Sequence, residues 1–217
     1  MKQEIKQAFN EQGYSFLLPI QEKAIPQILS RKNLFIQAAT GSGKTLAYLL
    51  PALEIADSAS NDTQILIITP TRELALQVSE VAKNTANYSK HHIVTVIGGL
   101  DIHKQENALR HRPTIIIGTP GRLMDLYSQK KIDLSHLLLC VVDEVDMVIS
   151  TGEKKQNIFF NIQTHSLSVL LPQRMISLLL SFQKNMKKSF KMTLMLAKTL
   201  IHTTSKQKIE STHYYAY

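Results

Sequence analysis

Two short segments hold side chains whose types and spacing suit phosphate chemistry. The first is Ala38-Ala39-Thr40-Gly41-Ser42-Gly43-Lys44-Thr45. It follows an apolar run and opens a segment with helical spacing, the context a phosphate-binding loop requires. Its glycines let backbone N–H groups turn inward around phosphate oxygens. The helix N-terminus adds a favourable dipole for an anion. Lys44 is placed to reach the β- and γ-phosphates of a nucleotide, and Thr45 to ligand Mg²⁺. Ala38 stands where the usual pattern has its first glycine, and a plain Gly/Ser turn ahead of a helix uses the same residue types. The second segment is Asp143-Glu144-Val145-Asp146, directly after the apolar run 137–142. Beside a phosphate loop, Asp143 is suited to hold Mg²⁺, and Glu144 to orient or deprotonate an attacking water.

Such groups act together only if the chain brings them to one edge. The first 150 residues alternate two textures. Five short apolar runs lie at 33–37, 64–69, 93–97, 114–118 and 137–142. They lack polar alternation, as strands covered on both faces do. Between them, helical spacing predicts helices over roughly 20–30, 44–57, 72–87, 101–111 and 120–129. This order predicts an α/β fold with a doubly wound parallel sheet, its ligand loops at the carboxyl ends of the strands. Both chemical segments fall there.

Composition narrows the classes. At 217 residues, 44% hydrophobic and 19% charged, the chain suits one globular domain, or one domain with an appendage. No eighteen-residue apolar run is present, which argues against a membrane span. The charged start MKQEIKQAFN does not read as a secretory signal. One cysteine, Cys140, can form neither an internal disulfide nor a metal cluster, so a cytoplasmic setting is expected. Cys140 and the helically spaced Leu46, Leu49 and Leu50 read as core, and His91-His92 as solvated loop.

Several motifs in order resemble the first RecA-like domain of DEAD-box RNA helicases, over roughly residues 10–150. Gly13-Tyr14 with Pro19-Ile20-Gln21 resembles the Q motif, and Ala38–Thr45 motif I. Pro70-Thr71-Arg72-Glu73-Leu74-Ala75 resembles motif Ia, and Gly98-Gly99 the glycine pair that approaches RNA. Thr119-Pro120-Gly121-Arg122 resembles motif Ib, and Asp143–Asp146 motif II, with Val145 in place of the family's alanine. The resemblance implies a P-loop nucleoside triphosphatase that couples ATP hydrolysis, with Mg²⁺, to RNA unwinding. It implies that Gln21 reads the adenine edge, and that Ala38 through Thr45 together with Asp146 line the nucleotide site. Glu144, Asp143 and Lys44 then serve catalysis, with Thr45 and Asp143 toward Mg²⁺. Thr71, Arg72, Gly98, Gly99, Thr119, Gly121 and Arg122 hold RNA. The chemistry suits that role: arginines pair with phosphates, threonine hydroxyls donate hydrogen bonds, and glycines allow close backbone approach, all without reading base sequence.

The sequence departs from the family in three places. No aromatic precedes Phe9, where the family has one that stacks on adenine. No Ser-Ala-Thr follows motif II; the strand-like run at 173–183 lacks it. The family's second RecA-like domain, which completes the ATP site and RNA grip, is not among these residues, so this chain is not expected to unwind RNA alone. The carboxyl third is also unusual. All eight glycines lie at or before Gly152, and residues 154–209 hold ten Lys/Arg and no acid, which accounts for the net charge of +8. Two readings fit. In one, two compensating frameshifts have scrambled residues from about 155 to 198, with family-like sequence resuming at Ile209-Glu210 and His213-Tyr214-Tyr215; in the other, the segment is a basic extension whose Lys184, Lys187, Lys188 and Lys191 meet RNA. Resequencing the source gene separates them. The expected division is 1–32 as the Q-motif region, 33–153 as the ATP-binding core, 154–208 as the basic tail and 209–217 as the start of a linker. Two other functions stay open: a non-catalytic RNA- or partner-binding fragment, and another P-loop translocase.

Overall fold

The computed structural model of this chain describes residues 1–38 and 41–144, and the backbone of 165–170. Six strands form one sheet: β1 Leu34–Ala38, β2 Ile65–Ile68, β3 Ile93–Val96, β4 Ile115–Gly118, β5 Leu139–Val142 and β6 His165–Leu170. Their spatial order is β1-β6-β5-β2-β4-β3. The helices are α1 Gln3–Glu11, α2 Pro19–Leu29, α3 Lys44–Ile55, α4 Arg72–Thr85, α5 Ile102–Arg110 and α6 Pro120–Ser128.

The continuous apolar runs have a physical reason. Successive side chains in a strand point to opposite faces, and here each face meets its own core. Ile65, Ile67, Ile115, Ile117, Leu139 and Val141 join α1, α2, α3 and α4 in one core. Leu66, Ile68, Ile116, Cys140 and Val142 join Leu109 of α5 and Leu123 and Leu126 of α6 in the other. Fully burying one such side chain contributes roughly 1.5–3 kcal/mol, so a polar residue on either face of β2, β4 or β5 would be strongly disfavoured. Burial also pushes the Cys140 thiol upward, which keeps it an unreactive core residue.

β2, β4 and β3 pair in parallel, and β5 pairs in parallel with β2. All five expected strands and all five expected helices are present, within a few residues of the predicted ends. Two elements differ from expectation. β6 is antiparallel to both β1 and β5 and lies between them. Strand N–H and C=O groups facing that gap are satisfied by a neighbour of either direction. The other addition is α1, whose Ile5, Ala8 and Phe9 are buried. That stripe is only three residues wide in a charged segment. Lys2 anchors it, its Nζ donating to the carbonyls of Leu53 at 3.3 Å and Ala56 at 2.8 Å at the end of α3. Residues 39–40, Val145 and Asp146, the run at 173–183 and the basic tail apart from β6 lie outside the described residues.

Candidate functional site

Apart from Gln21 of α2, the described site residues lie at or just after the carboxyl ends of β1, β2, β3, β4 and β5, in two groups. The first surrounds the start of α3. Gly43 caps that helix in a left-handed conformation, φ 86°, which glycine adopts readily and other residues do not. A Cβ there would also lie 2.7 Å from both Gln21 Nε2 and Leu18 Cδ1. Gln21 is 2% exposed. Its Nε2 donates to the Gly43 carbonyl at 3.1 Å, and its Oε1 accepts from the Leu18 N–H at 2.9 Å. The second bond is the return half of a capping box, since Gln21 is the third residue of α2. The amide therefore ties the start of α2 to the phosphate loop.

Lys44 is buried, and its Nζ donates to the Ala38 carbonyl at 2.7 Å. The ammonium thus closes across its own loop. Gly41 is exposed, and Ser42 and Thr45 are half-buried. Ser42 Oγ is buried with no hydrogen-bond partner among the described residues. An anion inside the loop would give it one.

Asp143 follows β5 and is 4% exposed. Its Oδ2 accepts from the Tyr48 hydroxyl of α3 at 2.9 Å, and its Oδ1 accepts from the Glu144 N–H at 3.0 Å. Glu144 adopts φ 48°. A non-glycine residue held there stores strain of about 1–2 kcal/mol, a feature that clusters at functional sites. Tyr48 falls within the helix expected over 44–57, and nothing in the sequence singles it out. Burial is the main force holding its hydroxyl well above the ordinary tyrosine range, and the Asp143 charge adds to it. Tyr48 is therefore a neutral donor to a carboxylate.

The second group lies on β2, β4 and β3. Thr71 caps α4, its Oγ1 accepting from the Leu74 N–H at 3.2 Å, which leaves its hydroxyl proton for another acceptor. The Arg72 guanidinium packs on the turn after β3. A Cβ on Gly99, at φ 79°, would collide with it, and one on Gly98 would lie 3.3 Å from Nη2. Thr119 donates its N–H to the Val96 carbonyl at 3.1 Å, beside that turn. Gly121 is exposed in the first turn of α6. Arg122 Nη1 is buried with no hydrogen-bond partner among the described residues, so the site has an unsatisfied cationic donor.

Sequence reading also missed Gln105 of α5, 6% exposed. Its Oε1 accepts from the Ile97 N–H at 3.0 Å, and its Nε2 reaches the carbonyls of Ile97 at 3.1 Å, Asp101 at 3.3 Å and Leu100 at 3.4 Å. One amide thus shapes the turn that holds Gly98 and Gly99. A polar residue inside a short amphipathic helix was the only sequence signal.

Comparison with known proteins follows the same outline. The family model described as DEAD/DEAH box helicase matches residues 18–187. The chain is 42% identical over 153 residues to the ATP-dependent RNA helicase CshA of Listeria monocytogenes, covering 70% of this chain and 29% of that protein. It is 38% identical over 152 residues to the DEAD-box ATP-dependent RNA helicase CshA of Bacillus subtilis, covering 70% and 31%. The chain therefore spans only 29–31% of the length of these two relatives. Among solved structures, it is similar to a DEAD box protein from Methanococcus jannaschii, with TM-score 0.65, 31% identity, and 70% of this chain and 42% of that one covered. It is also similar to a hypothetical ATP-dependent RNA helicase from Sulfolobus tokodaii, with TM-score 0.63, 37% identity, and coverage of 70% and 44%.

Proposed function

This chain belongs to the DEAD/DEAH box helicase family, and from that premise we propose that it is the ATP-binding RecA-like part of an RNA helicase. The observation that carries the reading is the joining of the phosphate-loop helix to the β5 carboxylate, through Tyr48 and Asp143 at 2.9 Å. Loop and carboxylate are thereby held at one edge of the sheet.

In this reading the backbone N–H groups of 41–44 and the N-terminus of α3 bind the ATP phosphates. Lys44 exchanges the Ala38 carbonyl for the β- and γ-phosphates, a stronger, charge-assisted partner. Gln21, with its remaining amide capacity, faces the adenine edge. Glu144 orients the attacking water and accepts its proton. Thr45 and Asp143 suit Mg²⁺, which takes one or two protein oxygens and completes its shell with phosphates and water. Among the described residues no cluster of three or more His, Cys, Asp or Glu could hold a metal. Bound there, Mg²⁺ neutralises charge developing on the phosphates.

Thr71, Arg72, Gly98, Gly99, Thr119, Gly121 and Arg122 hold one RNA strand by its backbone. Arg122 Nη1, buried and unpartnered among the described residues, is suited to a phosphate. Duplex unwinding belongs to the full-length parent, with the division at 32, 153 and 208 given above. Among the described residues no helix is long and apolar enough to cross a membrane; the cytoplasmic setting rests on the lone, buried Cys140.

The test is thermal unfolding of the chain and of Lys44→Ala, with and without Mg·ADP. A ligand at ~100 times its Kd adds about 2.7 kcal/mol. The expected result is a nucleotide-dependent rise in Tm that Lys44→Ala abolishes. A cooperative transition with no nucleotide shift overturns the ATP-binding reading and favours a binding fragment that retains the fold.

A further inference from the structure

Tyr48 has no catalytic assignment in the reading above, yet it bonds one of the two groups assigned to the metal and lies one helical turn from the other. Its side chain is 0% exposed. Its hydroxyl donates to Asp143 Oδ2 at 2.9 Å across 95 residues of chain. One turn of α3 separates Thr45 from Tyr48, which puts both on one face of the helix. A buried hydroxyl without a partner is unfavourable by a few kcal/mol, so a phenylalanine would fill this core equally well unless the hydroxyl were used. Asp143 Oδ1 also accepts from the Glu144 N–H at 3.0 Å. One oxygen of the carboxylate is thus tied to α3 and the other to the turn after β5.

We propose that Tyr48 is a positioning residue for the divalent metal, its hydroxyl holding the Asp143 carboxylate in a set orientation one helical turn from Thr45. It acts through Asp143. The inference rests on the assignment of Thr45 and Asp143 to Mg²⁺. Groups that orient metal ligands in this way typically change metal affinity about 10–100-fold when removed.

The test measures the affinity of the 217-residue chain for a fluorescent ADP analogue, in Mg²⁺ and in EDTA, for the wild type and Tyr48→Phe. Tyr48→Phe is expected to lose about tenfold or more of its affinity in Mg²⁺ and to match the wild type in EDTA. A purely structural role would weaken both conditions alike. An unchanged ratio between Mg²⁺ and EDTA overturns the proposal. Where Tyr48→Phe does not melt cooperatively, Tyr48→His replaces it. The imidazole restores a donor to Asp143, so a retained Mg²⁺ gain supports the proposal and a lost one overturns it. A wild-type chain that binds the analogue equally in Mg²⁺ and EDTA overturns the metal assignment itself, a different result from a Tyr48 variant that behaves as wild type.

Discussion

Two glycines of the phosphate loop separate backbone strain from a specific contact. Gly41 and Gly43 both sit in the left-handed region, at φ 78° and 86°. Alanine at either position carries a strain of roughly 1–2 kcal/mol. The surroundings differ. A Cβ on Gly41 meets nothing within 4 Å, whereas one on Gly43 lies 2.7 Å from Gln21 Nε2 and from Leu18 Cδ1. Gly43→Ala must therefore also push away the Gln21 amide, which breaks its bonds to the Gly43 carbonyl and the Leu18 N–H. Leaving such buried groups unsatisfied costs about 1–3 kcal/mol. Gly43→Ala is expected to lose about 2–5 kcal/mol and Gly41→Ala about 1–2 kcal/mol. Urea unfolding at one temperature measures both, and the Tm rise with Mg·ADP reports the loop. Gly43→Ala should lose that rise because the displaced amide no longer holds the loop. Equal losses, within the ~0.5 kcal/mol over which independent sites add, would refute the Gln21 contact as the tie between α2 and the loop.

Two further outcomes follow from the buried Gln105 and from His91, which is half-buried where its sequence suggested a solvated loop. Gln105→Leu keeps the volume but strips the Ile97 N–H of its partner, so stability should fall by about 1–3 kcal/mol; RNA affinity should fall as the Gly98-Gly99 turn loosens under Arg72, while the Mg·ADP shift stays. Unchanged RNA binding by the folded variant would separate that turn from RNA. His91 should make stability sensitive to acid. Burial, above all, holds its imidazole below the ordinary 6.5, so near that pH the unfolded chain binds more protons than the folded one. The contribution is complete above 6.5 and is lost as pH falls through 6.5 toward the lower folded value. Unfolding free energies at about pH 7.5 and about pH 5.5 should differ more for the wild type than for His91→Asn; equal differences count against it.

Much of this protein was legible in its sequence because the signals are local. Unbroken β-branched runs such as 114–118 imply strands covered on both faces, and Ile115–Gly118 is one, its side chains split between two cores. The Gly-Ser-Gly-Lys turn implies a helix opening on a phosphate site, and α3 begins at Lys44. The site's second layer was not legible. Gln105 reads as one polar residue among several on a short helix, and only the folded turn shows its amide bonded to Ile97, Leu100 and Asp101. Arg72 and Gly99 look independent until β2 and β3 lie on either side of β4. The sequence by itself determined the strands, the helices and the loops that carry charge, since caps, periodicity and glycine conformations depend on neighbours a few residues away. Tertiary structure alone decided that β6 runs antiparallel between β1 and β5, and that Tyr48 meets Asp143. Those contacts arise from the spatial order of strands, which side chains distant in the chain cannot encode locally.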